Sequence, residues 1–170
     1  TWIICPQGFC DFVTIQAGID YATAGDTVAI NGGNYQEQLV INKDLTLTGV
    51  DPAIAIIDAV GGGSGLTISS GVTVTVNYLS FINGLADEGG GVHNSGNLTL
   101  NDVWVYDNFA WQQGGGIWSD GANLNINSAK IYQNSVSNNQ TSGGGGIYLD
   151  AELSFSSHAA EIRDSSIYNN

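Results

Sequence analysis

The sequence predicts an all-β chain: a solenoid of three-strand coils, about five of them, behind a short N-terminal helix. Three observations carry that reading. One pattern occurs twice: Gly89-Gly90-Gly91-Val92, Asn97-Leu98-Thr99-Leu100-Asn101 and Val103-Trp104-Val105-Tyr106-Asp107-Asn108 are answered by Gly114-Gly115-Gly116-Ile117, Asn123-Leu124-Asn125-Ile126-Asn127 and Ala129-Lys130-Ile131-Tyr132-Gln133-Asn134. Gly89 to Gly114 is 25 residues and Asn97 to Asn123 is 26. Within each copy the short runs alternate apolar with polar, which places Leu98 and Leu100 on one face of a strand and Thr99 and Asn101 on the other. Only one stretch has helical spacing, so each repeat must bury its apolar positions by stacking on its neighbours.

Taken in order, Trp2-Ile3-Ile4-Cys5 reads as a strand turned by Pro6-Gln7-Gly8. Cys5 and Cys10 are the only cysteines. A disulfide pinning this turn is the preferred reading, since a metal pair would need two further ligands that the neighbourhood lacks. From Thr14 to Ala22, Ile15, Ile19 and Ala22 fall on one helical face; Thr14 is placed to cap the start and Gly25 to stop it. This helix, within a cap of residues 1–26, plugs the first coil. Coils then occupy residues 27–170, beginning with Asp26-Thr27-Val28-Ala29-Ile30.

The first strand of each coil recurs at Leu39-Val40-Ile41, Leu66-Thr67-Ile68, Gly91-Val92, Gly116-Ile117 and Gly146-Ile147. The middle strand recurs at Leu45–Thr48, Val74–Asn77, Leu98–Asn101, Leu124–Asn127 and Leu153–Ser156, and the third at Ile54–Ile57, Leu79–Phe81, Val103–Tyr106, Ala129–Tyr132 and Ser166–Tyr168. Asn83, Asn108, Asn134 and Asn170 follow the third strands, as a ladder of turn amides that bond to one another from coil to coil. Loops take Asp58–Gly65, Gly84–Glu88, Phe109–Gln113 and Ser135–Ser142. Ser157–Asp164 reads as an insertion, and the solenoid stops at Asn170 with no capping helix, leaving apolar core and strand edge uncovered.

The succession Asn, GGGI, LTL, aliphatic, aromatic, x, Asn resembles the right-handed parallel β-helix proteins of the pectate-lyase-like superfamily. Its GGGI and [FY]-x-N punctuation is similar to the polymorphic outer-membrane-protein and adhesin-like branch. The run from Thr14 to Gly49 looks like the N-terminal cap and first coil of that superfamily. The resemblance implies the fold over nearly the whole chain, but the fold hosts lyases, esterases, hydrolases, adhesins and inert spacers alike. Its uronate lyases imply calcium-binding aspartates beside a basic residue, and its esterases and hydrolases imply aspartates on adjacent coils with Arg or His nearby. Neither grouping stands out here: Lys130 is alone on a strand and Arg163 lies in the insertion.

With 3 basic against 16 acidic residues the net charge is −13, which argues against nucleic acid and anionic membrane as partners, and against polyanions unless a cation bridges. No apolar run is long enough for a membrane helix. Asp120 and Asp150 occupy matching positions one coil apart and are the candidate calcium ligands, with two solvated turn carboxylates as the plainer alternative. His93, Trp118 and Tyr148 follow inward residues and form an outward ladder of rings. Such a stripe suits stacking on sugar faces, or simply covers the wall. Trp104 and Trp111 are placed to extend an apolar surface.

Outward Thr46, Thr48, Thr75, Asn77, Thr99, Asn101, Asn125, Asn127, Ser154 and Ser156 make a flat uncharged face. Asn97 and Asn139 begin glycosylation sequons. Together these features are read as a noncatalytic, extracellular or surface-displayed structural module, not an enzyme and without cofactor. It would self-associate through its unlike ends as a filament, coat or adhesin stalk. The alternative is a carbohydrate-binding adhesin or degenerate polysaccharide-active β-helix with glycan partners; an ice-binding protein is the third reading.

Overall fold

The computed structural model describes residues 1–120, 123–137, 143–150 and 159–170. Within them the chain winds as a parallel β-solenoid of about five coils. Sheet 1 stacks Trp2–Ile4, Asp26–Ile30, Leu45–Gly49, Thr73–Asn77, Asn97–Asn101, Asn123–Asn127 and Ala159–Arg163. Sheet 2 stacks Gly33–Gln36, Ala55–Asp58, Ser80–Ile82, Trp104–Tyr106, Lys130–Tyr132 and Ser166–Tyr168. Sheet 4 stacks Leu39–Ile41, Leu66–Ile68, Val92–Asn94, Ile117–Ser119 and Ile147–Leu149. Every pairing is parallel, and the two copies of the pattern seen in the sequence lie in register: Leu98 on Leu124, Leu100 on Ile126, Val105 on Ile131 and Val92 on Ile117.

The period-2 alternation does the folding work. Inward files such as Val28, Leu47, Val76, Leu100 and Ile126 are fully buried. So is the file Ile57, Phe81, Val105 and Ile131, and the files of the several sheets join in one core that runs the length of the stack. One inward file turns polar. After Ile41 and Ile68 come Asn94 and Ser119, both buried, and the Asn94 Nδ2 donates to Ser119 Oγ at 2.8 Å while Asn94 Oδ1 accepts from Gly96 N at 3.1 Å.

Sheet 3 is an addition to the three expected strands. Leu85–Glu88, Phe109–Gln113 and Ser135–Val136, read from sequence as loops, pair in parallel between sheets 2 and 4. The glycine triplets then turn the chain into sheet 4. Gly89 and Gly114 have φ of 63° and 62°, and a side chain at Gly91 would meet Gly116 O at 2.6 Å, so only glycine lets one corner stack on the next.

The helix, α1 (Ile15–Tyr21), covers the N-terminal end, but not with the cap the sequence suggested. Thr14 makes no capping bond. The Glu37 carboxylate takes Ile15 N at 2.8 Å and Gln16 N at 2.9 Å instead, while Lys43 Nζ donates to Ile19 O, Asp20 O and Ala22 O at 3.0, 3.1 and 2.9 Å. An anion at the N-terminus and a cation at the C-terminus both oppose the helix dipole, and both come from the first coil. The Cys5–Cys10 disulfide is formed, with Cα atoms 5.7 Å apart.

The fifth coil also differs from expectation. Its sheet 1 strand is Ala159–Arg163, with Ala160 on Leu124 and Ile162 on Ile126. The segment Leu153–Ser156, expected in that place, lies outside the described residues. Ala159–Arg163 is thus a strand and not part of an insertion.

Candidate functional site

The turn amides bond where sheet 2 ends. Asn108 Nδ2 donates to Asn134 Oδ1 at 2.9 Å and to the carbonyls of Phe81 and Tyr106, each at 3.0 Å; Asn134 Nδ2 donates to Asn170 Oδ1 at 3.0 Å and to Val105 O at 2.9 Å. Asn83 stands outside this file. Ile82 pairs with Tyr106, so Asn83 matches Asp107 and Gly84 matches Asn108. Gly84 N donates to Asn108 Oδ1 at 2.8 Å, while Asn83 Nδ2 reaches Asp58 Oδ1 at 3.0 Å.

His93, Trp118 and Tyr148 do form one file across sheet 4. The His93 and Trp118 rings stack with centroids 4.3 Å apart. Yet Trp118 is only 6% exposed, and its Nε1 has no acceptor among the described residues. The central indole of the file is thus covered, while His93 and Tyr148 on either side of it are half-buried.

Asp120 is exposed and Asp150 half-buried, on adjacent coils. Among the described residues no three His, Cys, Asp or Glu side chains gather where a metal could sit. On sheet 1, Thr27, Thr46, Thr75 and Thr99 share one outward file that passes to Asn125 and Glu161. The neighbouring file is locked by amide bonds, Asn101 Nδ2 to Asn77 Oδ1 at 2.8 Å and Asn127 Nδ2 to Asn101 Oδ1 at 2.9 Å. Ser154, Ser156 and Asn139 lie outside the described residues.

A different surface gathers the aromatic residues. On the third coil Trp104 and Tyr106 stand on the outer face of sheet 2, flanking the buried Val105; Phe109 and Trp111 stand on the outer face of sheet 3, flanking the buried Ala110. Asp107, with φ of 55°, makes the turn between them, and is exposed. A left-handed residue shifts the alternation by one place, which is why a simple period-2 reading would send Phe109 inward. Four aromatic side chains thus line one coil as a belt.

The belt's far end is re-aimed by a bulge. Ala86 pairs with Ala110 but Glu88 pairs with Gln113, so the third coil has Trp111 and Gln112 where the second has Asp87 alone. Bulges turn side chains away from a sheet and are common beside functional sites. Trp111 is 52% exposed and meets Phe109 edge-on, with rings 4.9 Å apart at 80°. At the other end Lys130 Nζ lies 4.4 Å from the centre of the Trp104 ring, a cation–π contact. Of the other two cationic side chains, Lys43 is taken by the helix and Arg163 by Glu161.

A second aromatic file crosses the belt at Tyr106. Tyr106, Tyr132 and Tyr168 are in register on successive coils, with centroids 4.9 and 5.2 Å apart and planes within 3° and 5° of parallel. Burial raises the Tyr106 phenol above its usual value, and the Asp107 and Asp58 carboxylates raise it further. Tyr132 is raised in the same direction by burial, then by Tyr106, Tyr168 and Asp107. Asp58 is engaged as an acceptor from Asn83 Nδ2 and, at 3.0 Å, from Val60 N, which leaves Asp107 as the exposed carboxylate of the belt.

Solved structures similar to this chain are pectin methylesterases. One, in complex with a hexasaccharide, matches with a TM-score of 0.60 and 18% identity over 91% of this chain and 63% of its own. Pectin methylesterase PemA from Erwinia chrysanthemi gives 0.59 and 17% over 90% and 62%, and the enzyme from carrot 0.51 and 13% over 98% and 63%. No family model and no curated protein matches the chain. The chain spans a little over three-fifths of the length of these structures. The comparison corrects the expectation of a noncatalytic structural module, and with it that of no enzyme: the similar structures are pectin methylesterases, which are enzymes. At this identity the likeness establishes the fold, and the chain has the right-handed parallel β-helix fold of the pectin methylesterases.

Proposed function

We propose that the chain is a carbohydrate-active β-helix that takes a polysaccharide on the third-coil belt of Trp104, Tyr106, Phe109 and Trp111. The observation that carries the reading is the convergence of these four outward side chains on one coil, ended by a bulge. Aromatic rings bind the apolar faces of pyranoses, and the hydroxyls then need polar neighbours. Asp107, Gln112 and Lys130 lie along the belt and are exposed. The fold shared with pectin methylesterases supports a pectin-like polymer. With a net charge of −13, methyl-esterified pectin is a better match than the free polyanion, which this surface repels. The disulfide and the extracellular place of such polymers support secretion, and among the described residues no helix is long and apolar enough to cross a membrane.

The test is affinity electrophoresis in gels containing methyl-esterified pectin, paired with an assay for released methanol. Retardation of the native chain is expected, with loss in the Trp104→Ala/Trp111→Ala double variant. Asp107→Asn, which removes the exposed carboxylate of the belt, is expected to keep retardation. A native chain that migrates unretarded through pectin of every degree of esterification would overturn the reading.

A further inference from the structure

We infer that the bound glycan crosses the solenoid, lying along the third coil at right angles to the stacking axis, and does not run up the wall from coil to coil. The inference rests on the proposed polysaccharide reading and gives that site a direction. Two aromatic lines meet at Tyr106: the axial one is stacked face to face, and the transverse one ends in the indole of Trp111, which is 52% exposed.

The axial line is closed by its own stacking. Tyr106, Tyr132 and Tyr168 lie within 3° and 5° of coplanar orientation at 4.9 and 5.2 Å. Tyr132 therefore has a ring on each face, and Tyr106 has Tyr132 on one side and Ile82 next in register on the other. A sugar stacks on the face of a ring through its own axial C–H groups, and the edges and hydroxyls left along this file cannot supply that contact. The other axial route, from Trp104 towards the fourth coil, is closed by Lys130, whose ammonium sits 4.4 Å over the indole.

The transverse line is built differently. Along one strand, outward residues are separated by a full pleat, roughly 6–7 Å, and the one pair whose rings meet does so edge-on and not face to face. Phe109 meets Trp111 at 80°, and the extra residue of the bulge tips Trp111 out at the end of the line. Trp104 and Trp111 are seven positions apart with a turn between them, a reach that only several linked sugars could cover.

The test is a length series of methyl-esterified oligogalacturonides, from two to six units, titrated against the native chain, Trp111→Ala and Tyr168→Ala. Far-ultraviolet circular dichroism and thermal midpoints confirm that both variants are folded. A crosswise glycan gives Trp111→Ala a loss of about tenfold for the longest oligomers, shrinking as they shorten. Tyr168→Ala, two coils up the axial file, then binds every length as the native chain does. A length-dependent loss in Tyr168→Ala, with or without one in Trp111→Ala, or equal losses at all lengths in Trp111→Ala, would overturn the direction while leaving the polysaccharide reading standing. A native chain that binds none of the oligomers would overturn both.

Discussion

The side-chain amide of Gln16 bonds both backbone groups of Val40: Nε2 donates to the carbonyl at 3.2 Å and Oε1 accepts from the N–H at 2.9 Å. Leu39–Ile41 is the outermost strand of sheet 4, and a strand at an edge presents this donor and acceptor to whatever can pair with them. One glutamine on α1 fills the place of the next strand. Sheet 1 is finished at the same end by a similar economy, with Phe12 N donating to Ile3 O at 3.2 Å and Phe12 O accepting from Cys5 N at 3.1 Å.

Gln16→Ala should therefore lower stability by about 1 kcal/mol, because Val40 is half exposed and water replaces part of what is lost. Urea unfolding would show a lower midpoint with the slope unchanged. A slope that falls as well would mean that the helix has detached from the stack in the native state.

Asn108 is the more costly amide to remove. Its side chain serves Gly84 N, Phe81 O, Tyr106 O and Asn134 Oδ1 in a buried turn. Asn108→Ala strands several of these at once and should cost about 3 kcal/mol. Asn83→Ala, one position out of the file and bonded through its side chain, among the described residues, to Asp58 alone, should cost less than half as much. Paired thermal melts of the two variants measure the difference directly, and equal losses would show that the ladder carries no special weight.

Stability should fall at high pH. Burial raises the phenols of Tyr35, Tyr106 and Tyr132 above the ordinary tyrosine value of 10.0, with Glu37 adding to Tyr35 and Asp107 to the other two. A folded pKa above the unfolded one means that the fold favours the neutral phenol. That contribution is complete below about pH 10 and is lost as pH rises through the folded values. Denaturant midpoints should hold level up to about pH 10 and then drop, with a smaller drop in Tyr132→Phe. At the acid end the sign reverses. Asp26 is lowered from 3.8 by the backbone and hydroxyl of Thr23 and by Trp2 Nε1, so its contribution is present above that value and lost as pH falls through the folded one.

The core was legible because it obeys one local rule. Leu98 and Leu100 alternate with Thr99 and Asn101, and a parallel register then follows from repeating the rule every coil. What the residues near in sequence do not encode was harder to see. Glu37 caps a helix 22 residues before it, and nothing in the composition around Thr14 announces a rival. Sheet 3 was missed because Ala86-Asp87-Glu88 and Trp111-Gln112-Gln113 lack apolar alternation, and because the turn at Asp107 resets the phase that places Phe109. The same reset hid the belt, so the sequence pointed to His93, Trp118 and Tyr148, whose alternation is simple but whose central ring is covered.

The buried pair of Asn94 and Ser119 has a consequence for how the chain finds its fold. A stack of near-identical coils invites slippage, since a coil displaced by one whole repeat would still set aliphatic upon aliphatic. Only one junction in the described inward files joins an amide to a hydroxyl. Slipping the stack would leave Asn94 against hydrocarbon with its Nδ2 unanswered, at a cost on the order of 1–3 kcal/mol. The two polar residues thus act as a key cut into an otherwise uniform column, marking which coil is the third and which the fourth.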